Sequence, residues 1–196
     1  MTGIIQYGAG NIFSLTAALD RAEIGWKLIS KADEFEGCDR YIIPGVGHAG
    51  SAMEKLQQTG LVPMIRAIKK PVLGICVGMQ LLSEHSEEGD SQLLGIVPLK
   101  TKKFSADEHL KVPHTGWNQI AFEPDDALFT GINPGAHVYF VHSYFLEYNP
   151  TFTAAFTDYG LRFSAAVKKD NFYGVQFHPE KSGEAGARLL KNFSEF

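Results

Sequence analysis

The first half of the chain alternates short apolar runs with segments of helical periodicity. The apolar runs predict four strands, at residues 4–5, 26–29, 41–43 and 71–75, and Pro44 is expected to end the third. The segments between and after them predict four helices, at about residues 11–22, 51–58, 61–68 and 77–83. Continuously apolar strands joined by helices are typical of βαβ units, so this half predicts a parallel sheet with helices on both faces.

The second half has strand-like runs separated by polar turns. It predicts strands at residues 95–104, 117–122, 137–148, 153–157, 161–167 and 172–177, followed by a closing helix at 183–192. We therefore expect a single α/β domain over residues 1–196. Helices would flank its parallel-rich central sheet, with an added antiparallel or mixed sheet region.

The composition is that of an ordinary globular protein, with 44% hydrophobic and 20% charged residues among 196. A net charge of −4 gives no reason to expect a nucleic-acid or anionic-membrane partner. No apolar run approaches the roughly 20 residues that span a bilayer, and the N-terminus does not resemble a signal peptide. We therefore expect a cytoplasmic location. Two cysteines, Cys38 and Cys76, are too few for a disulfide framework.

Cys76 lies between a predicted buried strand and a helix, with Gly74 and Gly78 two residues away on either side. A sharp strand-to-helix turn needs small flanking residues, as in the nucleophile elbow of serine hydrolases. A thiol at a helix start is also close to unpaired N–H groups and the positive end of the helix dipole, which favour the thiolate. Cys76 is therefore predicted to be a nucleophile. Cys38 has no such elbow and is predicted to be a structural cysteine or an unreactive surface thiol.

His178 and Glu180 follow the last predicted strand, at the carboxyl edge of the sheet where α/β proteins place ligand sites. In an extended segment, residues two apart face the same side, about 6.5–7 Å from each other. The carboxylate could then orient one ring nitrogen and leave the other for Cys76, as in a catalytic triad. Each residue alone has an ordinary explanation as a polar or surface side chain. Together the three predict a Cys-His-Glu triad.

Backbone N–H groups of Gly47, in a Pro-Gly-x-Gly turn, and of Val77 are predicted to form an oxyanion hole. Nucleotide binding has little support, because Phe13 replaces the third glycine of G-x-G-x-x-G and no G-x-x-x-x-G-K-[ST] occurs. The seven histidines, His109 among them, show no H-E-x-x-H spacing, and there is no C-x-x-C. We therefore expect neither a metal nor a cofactor.

Two motifs lie roughly a hundred residues apart: Gly74-Ile75-Cys76-Val77-Gly78-Met79-Gln80 and Phe177-His178-Pro179-Glu180. Together they resemble the class I, triad-type glutamine amidotransferases. Finer motifs at residues 7–11, 44–47, 112–118 and 139–144 resemble, within that family, the glutaminase subunits of imidazole glycerol phosphate synthases. Gln6 departs from the pattern, which has an acidic residue before Tyr-Gly, and this puts a local contact near the partner side in doubt.

The resemblance implies that Cys76 attacks the side-chain amide carbon of glutamine and forms a glutamyl thioester. His178 would give a proton to the departing ammonia and then activate water, while Glu180 holds His178 in the right tautomer. Gln80 lies one helical turn after Cys76, hence on the same face, and matches a glutamine-contacting position of the family. The substrate's amine and carboxylate would be held at further matching positions: Gly45, His142, Ser143 and Tyr144.

The same resemblance implies a partner, a (β/α)₈-barrel cyclase subunit that receives ammonia through an internal channel. That cyclase makes imidazole glycerol phosphate and AICAR in histidine biosynthesis. The positions that match its interface are Asn11, Trp117 and Lys181. The family also suggests that the glutaminase is nearly idle alone, and that the loop at residues 45–47 completes the oxyanion hole in the activated complex.

Three other functions stay open at this point. One is a glutaminase subunit for another synthase, making pyridoxal 5′-phosphate, anthranilate or aminodeoxychorismate. The motifs at residues 7–11 and 113–118 favour the histidine pathway over it. Another is a non-catalytic module on the same fold, against which the intact Cys76, His178 and Glu180 argue. The third is a cysteine peptidase or γ-glutamyl hydrolase, which would need no partner.

Overall fold

A central sheet of eight strands runs through the computed structural model, which describes residues 1–105, 110–123 and 125–196. Its strands and those of two smaller sheets are β1 (Thr2–Ile5), β2 (Trp26–Ile29), β3 (Arg40–Gly45), β4 (Val72–Cys76), β5 (His85–Ser86), β6 (Ser91–Gln92), β7 (Lys100–Lys103), β8 (His114–Gln119), β9 (Ala121–Phe122), β10 (His137–His142), β11 (Tyr144–Leu146), β12 (Thr153–Tyr159), β13 (Leu161–Lys169) and β14 (Phe172–Val175). The α-helices are α1 (Ile12–Arg21), α2 (Ala49–Gln58), α3 (Val62–Ala67), α4 (Val77–Gln80) and α5 (Gly183–Phe193). Short 3₁₀ turns lie at Ala32–Phe35, Ala127–Phe129 and Pro179–Lys181.

The central sheet is parallel on one side and antiparallel on the other. Its strands follow the order β2-β1-β3-β4-β14-β13-β12-β9. The first five pair in parallel, and the pairs from β14 to β9 are antiparallel. Beside it, β8 and β10 form an antiparallel pair, and β11, β7, β5 and β6 form a small four-stranded sheet. The predicted fold class, a parallel-rich sheet with an added antiparallel or mixed region, is confirmed.

Burial explains why the strands of the first half are continuously apolar. Every residue of β1 and β4 is buried, so these strands have no face exposed to solvent. Helix α1 adds Leu15 and Leu19, which are four residues apart and therefore lie on one face. Each fully buried aliphatic side chain stabilises the fold by about 1.5–3 kcal/mol. Burial thus holds the middle strands firmly, and the residues at their carboxyl ends are therefore held in fixed positions.

The third strand continues through the proline that was expected to end it. Pro44 lies opposite Ile75 of β4, and β3 ends one residue later, at Gly45. The Pro44 carbonyl accepts a hydrogen bond from the Tyr7 hydroxyl, 2.6 Å away, so the backbone of Pro44 faces the β1 side of β3. The β1–β3 ladder has already ended at Ile42. The missing N–H therefore breaks no ladder hydrogen bond, and the proline is tolerated within the strand.

The helix predicted at residues 77–83 is shorter than expected. Helix α4 ends at Gln80, after which the N–H groups of Leu82 and Ser83 donate to carbonyls three residues back. The Ser83 hydroxyl also donates to the Gln80 carbonyl, at 2.8 Å. A serine that competes for a helix carbonyl favours a turn over a further helical residue.

Several predicted strands of the second half divide or shorten. The run at 137–148 divides at Ser143, whose carbonyl accepts from the Phe104 N–H, so β10 and β11 belong to different sheets. The run at 117–122 divides because β8 pairs with β10 and β9 with β12. Only β7 forms within 95–104, because the N–H groups of Ile96 and Val97 both donate to the Leu82 carbonyl. Strands β5 and β6, of two residues each, are too short to show a sequence pattern.

Both ends of the chain contact the start of β3. The ammonium group of Met1 forms an ion pair with the Asp39 carboxylate, and the Asp39 N–H donates back to the Met1 carbonyl. The next residue, Arg40, donates from Nη2 to the Phe196 carbonyl, 3.1 Å away. The two ends therefore lie together at the amino-terminal edge of the parallel strands.

Helix α5 packs closely against the 3₁₀ turn that precedes it. A Cβ atom added at Gly186 would overlap the carbonyl oxygen of Pro179, in the Pro179–Lys181 turn. The glycine therefore allows the helix to approach this turn. At 11 residues α5 is the longest described helix, and in the described part of the chain no helix is long and apolar enough to cross a membrane.

Gly186→Ala is expected to destabilise the protein by about 1–3 kcal/mol, because the added methyl group displaces α5 from the Pro179 backbone. Helix propensity alone predicts the opposite sign, since alanine is favoured over glycine by about 1 kcal/mol within a helix. Urea denaturation measures the difference. Gly25→Ala is the control, because a Cβ at the exposed Gly25 meets only the Met1 side chain, at 3.7 Å. Equal stability of the two variants would contradict this account of the α5 contact.

Candidate active site

Cys76 occupies a sharp turn between β4 and α4. It is the last residue of β4, and α4 begins at Val77. Its backbone has φ 54° and ψ −112°, a conformation that residues other than glycine rarely adopt. Such strain costs about 1–3 kcal/mol and is typical of functional sites. The turn thus has the form expected of a nucleophile elbow.

Three glycines make room for this turn. A Cβ on Gly78 would overlap the Ile43 carbonyl oxygen, and one on Gly74 would lie 2.5 Å from the Gly78 oxygen. A Cβ on Gly45 would lie 2.6 Å from the Gly78 nitrogen. Close approach of backbones, rather than a positive φ, therefore explains why glycine occupies all three positions. For Gly45, predicted to contact substrate, the structure gives a packing role beneath the turn.

His178 and Glu180 come next to Cys76 because β14 pairs with β4. Val175 of β14 lies opposite Ile75, so the chain that continues from β14 follows the same sheet edge as Cys76. The Nδ1 atom of His178 lies 2.8 Å from Oε1 of Glu180, and both side chains are almost fully buried. The other ring nitrogen, Nε2, is buried without a hydrogen-bond partner among the described residues. It is the nitrogen left for the thiol.

Backbone contacts hold His178 in this position. Its N–H donates to the Tyr139 carbonyl of β10, at 2.9 Å. Its carbonyl accepts from the Ser182 hydroxyl at 2.6 Å, and that hydroxyl also accepts from the Tyr139 N–H at 2.9 Å. The histidine is therefore supported by the two-stranded sheet as well as by the central one.

Electrostatics favour the protonated form of His178. Burial alone would lower its pKa, but the charge of Cys76, together with the hydrogen bond and the charge of Glu180, outweighs burial and raises the pKa above its usual value of 6.5. His178, which lies between the Cys76 thiol and the Glu180 carboxylate, is therefore held toward its protonated form.

A cleft of about 320 Å³ opens over Cys76 and His178. This volume is within the range of small-molecule sites. Its walls contain further predicted site residues: Gly47, Val77, Gln80, His142, Ser143 and Tyr144. Val77 is the first residue of α4, so its N–H has no partner within the helix, and Gly47 lies in an exposed loop with φ 88°. Gly45 is not part of this wall, and a larger cleft of about 650 Å³ elsewhere includes none of these residues.

His142 contributes to the cleft wall without a free ring nitrogen. Its Nδ1 lies 2.8 Å from the Tyr144 carbonyl, and its Nε2 lies 3.0 Å from Nδ1 of His114. Burial lowers the pKa of His114 to about 4 and that of His142 to about 3, so both rings are neutral at physiological pH. The predicted role of His142 in holding substrate therefore does not involve a ring nitrogen in this arrangement.

Two buried or cleft-lining residues were missed in the sequence. Glu88 lines the cleft, and its Oε2 accepts the Ala49 N–H at the start of α2, at 2.6 Å. Gln176 is fully buried, and its Nε2 donates to Sγ of Cys76 at 3.7 Å. Glu88 directly follows another glutamate in a polar segment, so nothing in a single sequence distinguishes it as a site residue. Gln176 stands beside a recognised motif, but only its three-dimensional contact distinguishes it from a strand residue.

The predicted interface residues are exposed. Asn11 accepts the Ser14 N–H at the start of α1, at 3.2 Å. Trp117 is 56% exposed, and its ring lies 6.0 Å from that of Tyr139. Lys181 places its ammonium group 5.8 Å from the centre of the same Tyr139 ring. Trp117 and Lys181 therefore belong to one surface, centred on Tyr139 and adjacent to His178.

The structure separates the two cysteines by environment. Cys38 is fully buried near Glu34, and burial raises the pKa of its thiol. It is a structural cysteine rather than a surface thiol. Within the described ranges, no group of three or more His, Cys, Asp or Glu side chains is arranged to hold a metal. His109, one of the histidines considered in the sequence, lies outside these ranges.

Solved structures share this fold. A crystal structure of a glutamine amidotransferase superimposes with a TM-score of 0.75 and 19% identity, and covers 99% of this chain and 97% of that chain. The structure of PurLQS from Thermotoga maritima has a TM-score of 0.68 and 16% identity, with coverage of 98% and 96%. At these identities the likeness concerns the fold alone.

Sequence comparisons go further. The protein named imidazole glycerol phosphate synthase subunit HisH from Bacteroides fragilis (strain YCH46) is 48% identical over 193 residues, covering 98% of this chain and 97% of that protein. The protein of the same name from Escherichia coli (strain K12) is 47% identical with the same coverage. A family model described as glutamine amidotransferase class-I matches residues 9–195. With that match and these relatives over nearly its whole length, this chain belongs to the class-I glutamine amidotransferase family.

Proposed function

We propose that this glutamine amidotransferase hydrolyses glutamine with Cys76 as nucleophile, His178 as acid and base, and Glu180 as the group that orients His178. The observation that carries the proposal is the buried 2.8 Å contact between His178 Nδ1 and Glu180 Oε1. It commits one ring nitrogen and leaves Nε2 for the sulfur of Cys76. This is the arrangement of nucleophile, base and orienting acid in hydrolytic triads.

The first half-reaction forms a thioester. The Cys76 thiolate adds to the side-chain amide carbon of glutamine, and the carbonyl oxygen becomes an oxyanion. The N–H groups of Gly47 and Val77, which both line the cleft, are the proposed donors to that oxyanion. As the intermediate collapses, the carbon–nitrogen bond breaks and protonated His178 gives its proton to the leaving nitrogen. Ammonia departs, and a glutamyl thioester remains on Cys76.

The second half-reaction needs His178 as a base. The charge of Cys76 helps to raise the pKa of His178, and that charge is lost when the sulfur becomes a thioester. The pKa of His178 therefore falls during the thioester stage, and the neutral ring can remove a proton from water. Hydroxide adds to the thioester carbon, the sulfur leaves as thiolate, and glutamate is released. The same loss of charge thus converts the acid of one step into the base of the next.

The cleft wall supports recognition of an amino acid. Glu88 is a carboxylate in this wall, and we propose that it binds the substrate's ammonium group, because Oε2 alone is committed to the Ala49 N–H. Both amide hydrogens of Gln80 are committed within the protein, so its Oε1 is the atom left to accept from substrate. Ser143 and Tyr144, which also line the cleft, complete the proposed set of substrate-binding residues.

We propose that the ammonia passes to a (β/α)₈-barrel cyclase subunit, in a heterodimer that makes imidazole glycerol phosphate and AICAR in histidine biosynthesis. Support comes from relatives named as subunits of imidazole glycerol phosphate synthase. Exposed Trp117 and Lys181 on the Tyr139 surface would contact the partner. Asn11, the third proposed contact, lines a small crevice with His178 and Glu180, so it lies close to the proposed source of the ammonia.

Cys76→Ala is expected to reduce glutamate release by at least about 10³-fold, because it removes the sulfur on which the proposed thioester forms. The assay measures glutamate from glutamine with and without the cyclase subunit and its nucleotide ligand. The wild type is expected to be strongly stimulated by the partner. Cys38→Ala is the control and should retain stimulation. Partner-independent hydrolysis that still requires Cys76 would refute the pathway assignment and leave the triad intact.

Glu180→Gln is expected to lower kcat by about 10²–10⁴-fold and to move the alkaline limb of the kcat/KM profile down by about one to two pH units. Glu180 helps to raise the pKa of His178, so its loss lets the imidazolium deprotonate at lower pH. Glu184→Gln, an equal charge change at an exposed position four residues on, should leave the profile unchanged. Similar profiles for both variants would rule out an orienting role for Glu180.

Glu88→Gln is expected to raise KM for glutamine by about 10- to 100-fold with little change in kcat, because a charge-assisted contact with the substrate amine is lost. The glutamine oxygen can still accept the Ala49 N–H, so the fold is preserved. Glu87→Gln is the matched control, since Glu87 also accepts a backbone N–H, from Lys103 at 2.7 Å, but does not line the cleft. A KM that is the same in both variants would exclude Glu88 from substrate binding.

A further inference from the structure

A line of buried hydrogen bonds leads from a backbone carbonyl to the sulfur of Cys76. The Nε2 atom of Gln80 donates to the Tyr144 carbonyl at 3.0 Å and to Oε1 of Gln176 at 3.0 Å. The Nε2 atom of Gln176 in turn donates to Sγ of Cys76 at 3.7 Å. Gln80 is 2% exposed and Gln176 is fully buried, so water does not compete for these groups.

The backbone carbonyl decides which way both amides point. A carboxamide can be turned by 180° with almost no change in shape, so neither glutamine defines its own orientation. A carbonyl oxygen only accepts, so Gln80 must present its NH₂ group to Tyr144. The second hydrogen of that group then faces Gln176, which must present its oxygen. The NH₂ group of Gln176 is thereby directed at the sulfur.

The carbonyl of Tyr144 is itself fixed by two histidines. It accepts from Nδ1 of His142, which leaves Nε2 of that ring to accept from Nδ1 of His114. The Nε2 of His114 then faces the Asn118 amide, at 3.4 Å. Because burial keeps both rings neutral, each has one donor and one acceptor. Donation therefore runs from Asn118 through His114 and His142 to the Tyr144 carbonyl, which also accepts from Gln80.

We propose that Gln176 is a catalytic residue that donates an N–H hydrogen bond to the sulfur of Cys76 and holds the thiolate at the cleft. This inference rests on the proposed role of Cys76 as nucleophile. Each half-reaction passes through the thiolate, first as the attacking group and then as the leaving group. An anion in a buried site needs hydrogen-bond donors, and donation to a charged acceptor is roughly twice as strong as donation to a neutral one.

The length of α4 increases the need for such a donor. This helix has only four residues, so fewer aligned peptide dipoles act on Cys76 than in the helix predicted from the sequence. His178 provides one cationic partner for the sulfur. Gln176, one residue after the end of β14, supplies a neutral donor that stays in place when His178 has given up its proton.

The test measures how fast iodoacetamide alkylates Cys76 as a function of pH, by mass spectrometry of the peptide that contains it. Gln176→Met keeps the length and burial of the side chain but removes the N–H group. Its alkylation midpoint is expected to rise by about one pH unit, and kcat/KM for glutamine at neutral pH to fall by about tenfold. KM should stay within about twofold, because Gln176 does not line the cleft.

Two further variants separate this role from a loss of packing. Gln80→Met removes the bond that orients Gln176 without changing Gln176, and its alkylation midpoint should rise by a smaller amount. Asn192→Leu removes a different buried amide, which donates to the Leu128 and Thr130 carbonyls, and should leave the midpoint unchanged. Alkylation of the fully buried Cys38 reports any variant that has lost its fold.

An unchanged midpoint in folded Gln176→Met would overturn the proposal. Should that variant not fold, an unchanged midpoint in Gln80→Met would do the same. The Cys76→Ala assay distinguishes this failure from that of the proposed function. Loss of glutaminase activity in Cys76→Ala, with no midpoint shift in Gln176→Met, would refute only the proposed role of Gln176. Glutamine hydrolysis that persists in Cys76→Ala would refute both the role of Gln176 and the proposed function of Cys76.

Discussion

The turn at Cys76 requires the backbones of β3 and α4 to approach more closely than any side chain would permit. Gly78 lies against the Ile43 carbonyl, and Gly45 lies against the first residues of the helix. The positive φ of Cys76 is the conformational cost of this approach, and the buried strands on either side offset it. Once the turn is formed, the pairing of β14 with β4 brings the His178 segment to the same edge. The cleft, the proposed oxyanion donors and the proposed base all take their positions from that turn.

The pKa values of two histidines in this cleft are shifted in opposite directions. His178, between Cys76 and Glu180, is held toward the charged form, whereas His142 is kept neutral by burial and by a partner that is itself neutral. The difference comes from the neighbours rather than from the residue type, and it separates the two tasks. A histidine that changes charge can move protons, and one that cannot change charge can serve as a fixed link between a carbonyl and a second ring.

The sequence predicted those features that local pattern determines. Continuous apolar runs marked the buried parallel strands, and glycines on both sides of Cys76 marked the turn. Beyond the shared sheet edge of Cys76 and His178, features that depend on distant partners were not predicted. The division of the run at 137–148 depends on a hydrogen bond between Phe104 and the Ser143 carbonyl. The position of Glu88 depends on the start of α2, and the contact of Gln176 with the sulfur depends on the β14–β4 register. No spacing within one segment encodes such contacts.

The meeting of the two chain ends at the start of β3 has a practical consequence for protein engineering. Met1 and Phe196 are tied to Asp39 and Arg40, whereas Gly45, at the other end of the strand, lies opposite Cys76. The length of β3 separates the two locations by about 17 Å. An affinity tag or fluorescent fusion at either end therefore emerges on the side of the molecule away from the cleft. Ends this close can also be joined by a short linker, which makes the fold suited to circular permutation with new ends in a surface loop.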